Sequence, residues 1–170
     1  MSLAETIGRP LIAQVVDQFY ERVRTHATLA APFGHVPDWH LHQQRLSYFW
    51  WVALGGERDQ NFQYHVGMKH FQHGFTRALL ADWLALFGET VQDILPQPQA
   101  EIWLALARHM GDGLAVANDQ IIARHQENPH APIDFAYPGA GHPGLGHPEG
   151  QTTTPAGPRP GLEDTPPRPA

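Results

Sequence analysis

The sequence predicts an all-α domain followed by a C-terminal segment that forms no core. Within roughly the first 125 residues, four stretches repeat apolar side chains every three or four positions, the period of a helix that packs on one side. No stretch reads as a strand. Most of the 16 Pro residues follow residue 128, where the helical period ends. We therefore expect a globular domain over residues 1–125 and a disordered, Pro- and Gly-rich tail over residues 126–170.

The first helix is predicted over residues 10–26. Leu11, Val15 and Phe19 repeat at helical spacing, and Pro10 suits the first turn, where its missing N–H costs nothing. A second apolar row runs alongside this one, so the helix has a broad face to bury.

The second helix is predicted over residues 38–54. Asp38 can cap its first turn, and Gly55 with Gly56 ends it. Its face is apolar except at His42. Residues 57–75 are polar and punctuated by Gly, with a weak helical turn around Val66 to His73.

The third and fourth helices are predicted over residues 76–94 and 99–125. Thr76 is a suitable cap for the third helix, and Pro96 and Pro98 separate the two. Both helices carry a broad apolar stripe, formed by Leu79, Leu80, Trp83, Leu84, Phe87 and Val91 in one and by Ile102, Trp103, Leu106, Met110, Leu114, Ala117 and Ile121 in the other.

Composition excludes several classes of protein. The chain has no Cys, so disulfide scaffolds, thiolate metal sites and cysteine nucleophiles are ruled out. The net charge of −6 argues against a nucleic-acid surface. We find neither a signal-like N-terminus nor about 18 consecutive apolar residues, so we expect no membrane span and a cytoplasmic location.

Imidazole and aromatic rings are unusually frequent, with 12 His, 5 Trp and 8 Phe. This composition favours a metal or a flat aromatic cofactor. A haem pocket needs an imidazole ligand, flat apolar walls and a hydrogen-bond donor on the opposite face. The sequence offers His70 or His73 as ligand and Tyr20, His42 and Trp83 as donors. The candidate wall residues are Phe33, Leu46, Phe49, Trp83 and Phe87.

Four motifs in the sequence resemble those of a known haem-binding family. They are Phe19-Tyr20-Glu21-Arg22-Val23, Leu29-Ala-Ala-Pro-Phe33, Trp39-x-x-His42-x-x-x-Leu46-x-x-Phe49-Trp50 and Trp83-Leu-Ala-Leu-Phe87-x-x-Thr90-Val91. Together they resemble the truncated haemoglobins, most closely their third group. The resemblance covers about residues 8–120 and implies a two-over-two globin-like helical sandwich that holds haem b, an iron protoporphyrin.

The resemblance also implies roles for single residues on the distal side. Tyr20 matches the tyrosine that donates to the bound ligand, and His42 matches the distal position that faces the iron. Trp83 matches the tryptophan whose indole lies beside the haem and can donate to the ligand. Phe33 matches an aromatic that packs on the haem, and Leu46 matches the pocket residue one turn beyond His42.

The proximal iron ligand implied by the resemblance is His70, which follows Lys69 and precedes Trp83 at nearly the family spacing. His73 is the fallback. The loop before His70 departs from the family's usual Tyr-x-Gly-x-Pro pattern.

The function implied is reversible binding of O2, NO or CO at a histidine-ligated iron. Two distal donors would slow O2 release, which suits O2, NO or peroxide chemistry better than bulk transport. The resemblance also implies NO dioxygenation or peroxide reduction as possible enzyme activities. Either would need a reductase that the sequence does not reveal.

Two alternatives stay open. One is a haem-based gas sensor or store without turnover. The other is a helical bundle in which His65, His70 and His73 bind Zn, Ni or Cu without haem.

Overall fold

The computed structural model describes residues 1–61, 70 and 73–130. Over these residues the chain folds into helices α1 (Leu3–Ile7), α2 (Arg9–Thr25), α3 (Trp39–Ala53), α4 (Arg77–Ile94) and α5 (Gln97–Glu127). The described part of the chain contains no β-strand, so the predicted all-α class is confirmed. Of the weak turn predicted around Val66 to His73, His70 has helical backbone, while residues 66–69, 71 and 72 lie outside the described residues.

The four predicted helices begin and end within two residues of their predicted bounds. Asp38 caps α3 by accepting a hydrogen bond from the Leu41 amide at 2.9 Å, and Thr76 caps α4 by accepting one from the Leu79 amide at 3.1 Å. The predicted start of α5 at residue 99 is too late. Pro98 lies in the first turn, because the amides of a first turn need no helical partner.

Helix α1 is absent from the sequence prediction. It begins with a capping box, in which the Ser2 hydroxyl accepts from the Glu5 amide at 3.2 Å and the Glu5 carboxylate accepts from the Ser2 amide at 2.7 Å. Its Ala4 amide donates to the carbonyl of Leu54, at the end of α3. The signal was present as Ser-x-x-Glu at the N-terminus, but five residues are too few to show a helical period.

The helices pack in two pairs, α2 with α3 and α4 with α5, and α2 also packs on α4. This arrangement agrees with the expected truncated-globin fold. Arg22 of α2 joins the pairs at the surface, because its guanidinium donates to Asp93 at 2.6 Å and to Thr90 at 3.3 Å, both on α4. The interior between the pairs is filled by Phe19, Phe87 and Trp103.

Helices α4 and α5 lie close together because glycines stand at their contact. A Cβ at Gly111 would lie 2.7 Å from a methyl carbon of Leu80, and a Cβ at Gly88 would lie 3.2 Å from a methyl carbon of Leu104. A side chain at Gly111 would force the Leu80 side chain to move, and one at Gly88 would require Leu104 to shift by a few tenths of an ångström. The glycines therefore let Leu80 and Leu104 pack directly against the facing helix backbone.

All described residues belong to one compact unit, Met1–Pro138. Residues 131–170, which make up most of the predicted tail, lie outside the described residues, so the tail and its boundary stay predictions. None of the described helices combines the length and the apolarity that crossing a membrane requires.

Candidate functional site

Tyr20 lies at the centre of a ring cluster formed by α2, α3 and the loop between them. Its side chain is only 5% exposed. The ring centroid is 5.3 Å from that of His42, 5.7 Å from that of Phe33 and 6.0 Å from that of Trp39. The structure therefore brings together a buried phenol and an imidazole that stand 22 positions apart in the sequence.

The orientation of His42 follows from the helical period of α3. Trp39 and His42 are one turn apart, and their rings meet edge to face at 5.9 Å. Leu46, one turn further on, is buried in the core. The half-buried Phe33 reaches the same cluster from the loop and lies 6.5 Å from Trp39. Trp39 is the member of this cluster that the sequence analysis does not assign to the site.

A second group of rings continues the apolar wall along α4. Trp83 stacks on Phe87 with centroids 4.8 Å apart and planes 18° apart, and both meet Phe19 edge to face. Phe87 is 1% exposed and belongs to the packed core, whereas Trp83 is half-buried. Phe49, also half-buried, lies 5.3 Å from the ring of Trp50.

The loop that carries Phe33 is tied to α4 beside Trp83. The Thr28 hydroxyl donates to the Asp82 carboxylate at 2.6 Å, one residue before Trp83. This contact joins the loop that carries Phe33 to the helix that carries Trp83. It rests on two surface side chains far apart in the sequence, which gave no signal to sequence analysis.

The two candidate iron ligands differ in their surroundings. His70 is half-buried, and its ring lies 5.5 Å from that of Phe75 in an edge-to-face contact. His73 is exposed and lies flat on His35, with centroids 3.3 Å apart and planes 6° apart. His35 in turn donates through Nδ1 to the Pro32 carbonyl at 2.7 Å. This His35–His73 stack puts the segment with the candidate ligands beside the loop that carries Phe33.

Of the three imidazoles in the alternative metal bundle, His65 lies outside the described residues. Across residues 1–61, 70 and 73–130, no three His, Asp or Glu side chains are grouped so that they could hold a metal ion.

A curated relative is similar to this chain in sequence. Over 132 residues, covering 73% of this chain and 91% of the relative, the chain is 28% identical to a group 3 truncated haemoglobin, ctb, of Campylobacter jejuni. The chain resembles the group 3 truncated haemoglobins. The resemblance inferred from the motifs is therefore confirmed by a relative that it matches over most of the length of both chains. No protein-family model matches the sequence.

Proposed function

We propose that the protein is a globin that binds haem b through His70 and takes O2 and other diatomic ligands next to Tyr20 and His42. The observation that carries the proposal is the contact between Tyr20 and His42 inside an otherwise apolar ring cluster. The truncated haemoglobin relative supports a globin-type haem-binding role.

The residues present fit haem in their chemistry. Phe33, Phe49 and Trp83 are large apolar rings that stay half-buried while packing on the core. Such side chains offer flat walls that a porphyrin would cover. His70 supplies an imidazole nitrogen, which is the usual proximal ligand of a globin iron. Haem bound here would supply an iron atom that can take a diatomic gas.

The distal side chains would hold the ligand by hydrogen bonds. The phenol of Tyr20 and the indole N–H of Trp83 are donors, and a buried setting strengthens hydrogen bonds to a partly negative oxygen. Two donors favour retention of O2 over rapid release. His42, next to Tyr20, supplies an imidazole that can accept or donate a proton.

This chemistry suits a protein that reacts O2, NO or peroxide better than one that carries O2. Turnover of this kind needs an electron donor, so the proposal includes an unidentified reductase. The proposed location is the cytoplasm. Consumption of NO by the O2-loaded protein in the presence of a reductant tests the enzymatic form, and ligand binding without consumption would favour a sensor or store.

The visible absorption spectrum tests haem binding and its ligand together. Purified full-length protein is mixed with haem, reduced and exposed to CO. We expect a strong Soret band that shifts to the position of an imidazole-ligated CO form. His70→Ala should lose this form and recover it with added imidazole, whereas His73→Ala, the matched control, should keep it.

Two results would contradict the proposal. A folded protein whose spectrum does not change with haem would reject the globin function and favour the His-rich metal bundle. Loss of the imidazole-ligated form in His73→Ala, with His70→Ala unaffected, would transfer the role of iron ligand to His73.

A further inference from the structure

We propose that Asn118 is a positioning residue for His70. Its side chain lies on α5, far from Tyr20 and His42 in the sequence, and holds the backbone segment that carries the candidate iron ligand. The inference rests on the proposed function, because it takes His70 as the ligand.

Asn118 is a buried amide on a helix whose neighbouring buried residues are apolar. It is 6% exposed, and aromatic residues aside, Thr90 is the other buried polar side chain among the described residues. A buried amide is costly unless it is hydrogen-bonded. The Asn118 Nδ2 donates to the carbonyl of Phe75 at 3.3 Å, across 43 positions of the sequence. The amide therefore joins α5 to the segment that precedes α4.

A second hydrogen bond continues from this contact to His70. The Phe75 amide donates to the His70 carbonyl at 3.0 Å. The Phe75 ring also meets the His70 ring edge to face at 5.5 Å. Asn118 thus acts on His70 through both the backbone and the ring of Phe75.

The end of α5 that carries Asn118 is itself held against α4. Gly111, two turns earlier, allows the close approach to Leu80. Asp119 accepts two hydrogen bonds from the Arg77 guanidinium, at 2.6 and 3.0 Å. Because α5 is fixed to the first turn of α4 at these points, Asn118 can fix Phe75 and so limit the rotation of the His70 imidazole.

Mutation of a group that orients a metal-bound histidine typically costs about 10–100-fold in metal affinity or activity. Asn118 would perform this task through Phe75. The prediction is specific: loss of the Asn118 donor changes the iron–imidazole bond and the retention of haem, beyond any general loss of stability.

The test uses the full-length haem-loaded protein and the variants Asn118→Asp and Asn118→Ala. Asp has nearly the shape of Asn but cannot donate when ionised, and Ala removes the group altogether. Thr90→Val is the matched control, because it removes the other buried polar group at a site away from Phe75. The readouts are the iron–imidazole stretching band in the resonance Raman spectrum and the rate of haem transfer to an acceptor globin.

We expect both Asn118 variants to shift or broaden the stretching band and to lose haem about tenfold faster. Thr90→Val should be less stable to denaturant but keep the band of the unchanged protein. If one Asn118 variant fails to fold, the stretching band and the haem transfer rate of the other variant test the proposal.

The inference and the proposed function fail in different ways. A wild-type protein with His70 ligation, together with Asn118 variants of unchanged band and transfer rate, would overturn the role of Asn118 alone. A wild-type protein that binds no haem, or that binds it through His73, would overturn both.

Discussion

At the scale of single residues, Tyr20 combines burial with a hydroxyl group. Its neighbours include the rings of Phe19, Phe33 and Trp39, and His42 is the other polar ring within reach. In such surroundings the phenol has a low local dielectric, so a hydrogen bond that it donates to a ligand is stronger than one in water. The retention of O2 should therefore depend strongly on this hydroxyl, together with the indole N–H of Trp83.

Tyr20→Phe tests this dependence. Removal of the hydroxyl should increase the rate of O2 dissociation by about tenfold or more, since a hydrogen bond to a charged acceptor contributes about 1.5–3 kcal/mol. Stopped-flow measurement of O2 release gives the rate. Tyr48→Phe is the control, because the Tyr48 hydroxyl contacts the backbone of Gln60 at 2.9 and 3.0 Å instead. Equal rates in Tyr20→Phe and the unchanged protein would remove Tyr20 from ligand binding.

Asp17, on the outer face of α2, has a pKa raised above its ordinary value of 3.8. Partial burial is the main cause, the charge of His40 opposes it, and the charge of Glu21 adds to it. The folded chain therefore holds the proton more tightly than the unfolded chain does, and the Asp17 contribution to stability falls as the pH rises through the raised pKa.

Asp17→Asn should stabilise the protein at pH 7, by less than about 1 kcal/mol because solvent screens this side chain. The gain should disappear below the ordinary pKa of Asp, where both side chains are neutral. Denaturant unfolding at a series of pH values measures it. Glu89→Gln removes the same charge from an exposed position of α4 that does not shift the pKa of Asp17, and an equal gain from that variant would show that burial of Asp17 is not the cause.

At the scale of elements, local signals predicted the helices because each signal acts within one turn or one period. Asp38 and Thr76 were predicted as caps, and both caps are confirmed. Helix α1 was missed because its five residues are held by a capping box and by the Ala4 contact to Leu54, neither of which has a period. Contacts between elements, such as the His35–His73 stack, give no periodic signal at all.

Thr76→Ala tests the start of α4. Loss of the hydroxyl leaves the Leu79 amide without its cap, and the free energy of unfolding should fall by about 1 kcal/mol. Thr76→Ser keeps the acceptor oxygen, so its free energy of unfolding should fall by much less. Chemical denaturation of the two variants compares them directly, and equal losses would mean that the methyl group, and not the cap, matters.

At the scale of the whole molecule, the family resemblance and the helical period predicted different features of the fold. The pairing of helices came from the resemblance, and the helix count came from the period. Tyr20 and His42 could be chosen as candidate site residues because each has a fixed position in a motif, and their rings lie 5.3 Å apart, while their roles stay predictions. Asn118 has no motif, since its partner is a loop carbonyl that any residue could supply.

A chain that ends at residue 130 tests the predicted organisation. The sequence predicts that the tail adds nothing to the core, so this chain should keep the unfolding midpoint and the CO spectrum of the full-length protein. A chain that ends at residue 112 is the control. It lacks the buried Leu114, Ala115 and Asn118, and its midpoint should fall by several degrees. A large loss of midpoint in the longer chain would assign a structural role to the tail.

The five tryptophans lie at graded depths, and this has an optical consequence. Trp103 is 0% exposed, and its indole N–H has no hydrogen-bond partner among the described residues. Trp50 is buried beside it, while Trp39, Trp51 and Trp83 are half-buried. Trp103 should fluoresce at short wavelength in the folded protein, and haem beside Trp83 should quench this emission by energy transfer. The intensity of the intrinsic tryptophan emission would then report cofactor loading, and its wavelength would report unfolding. Neither measurement needs an attached dye.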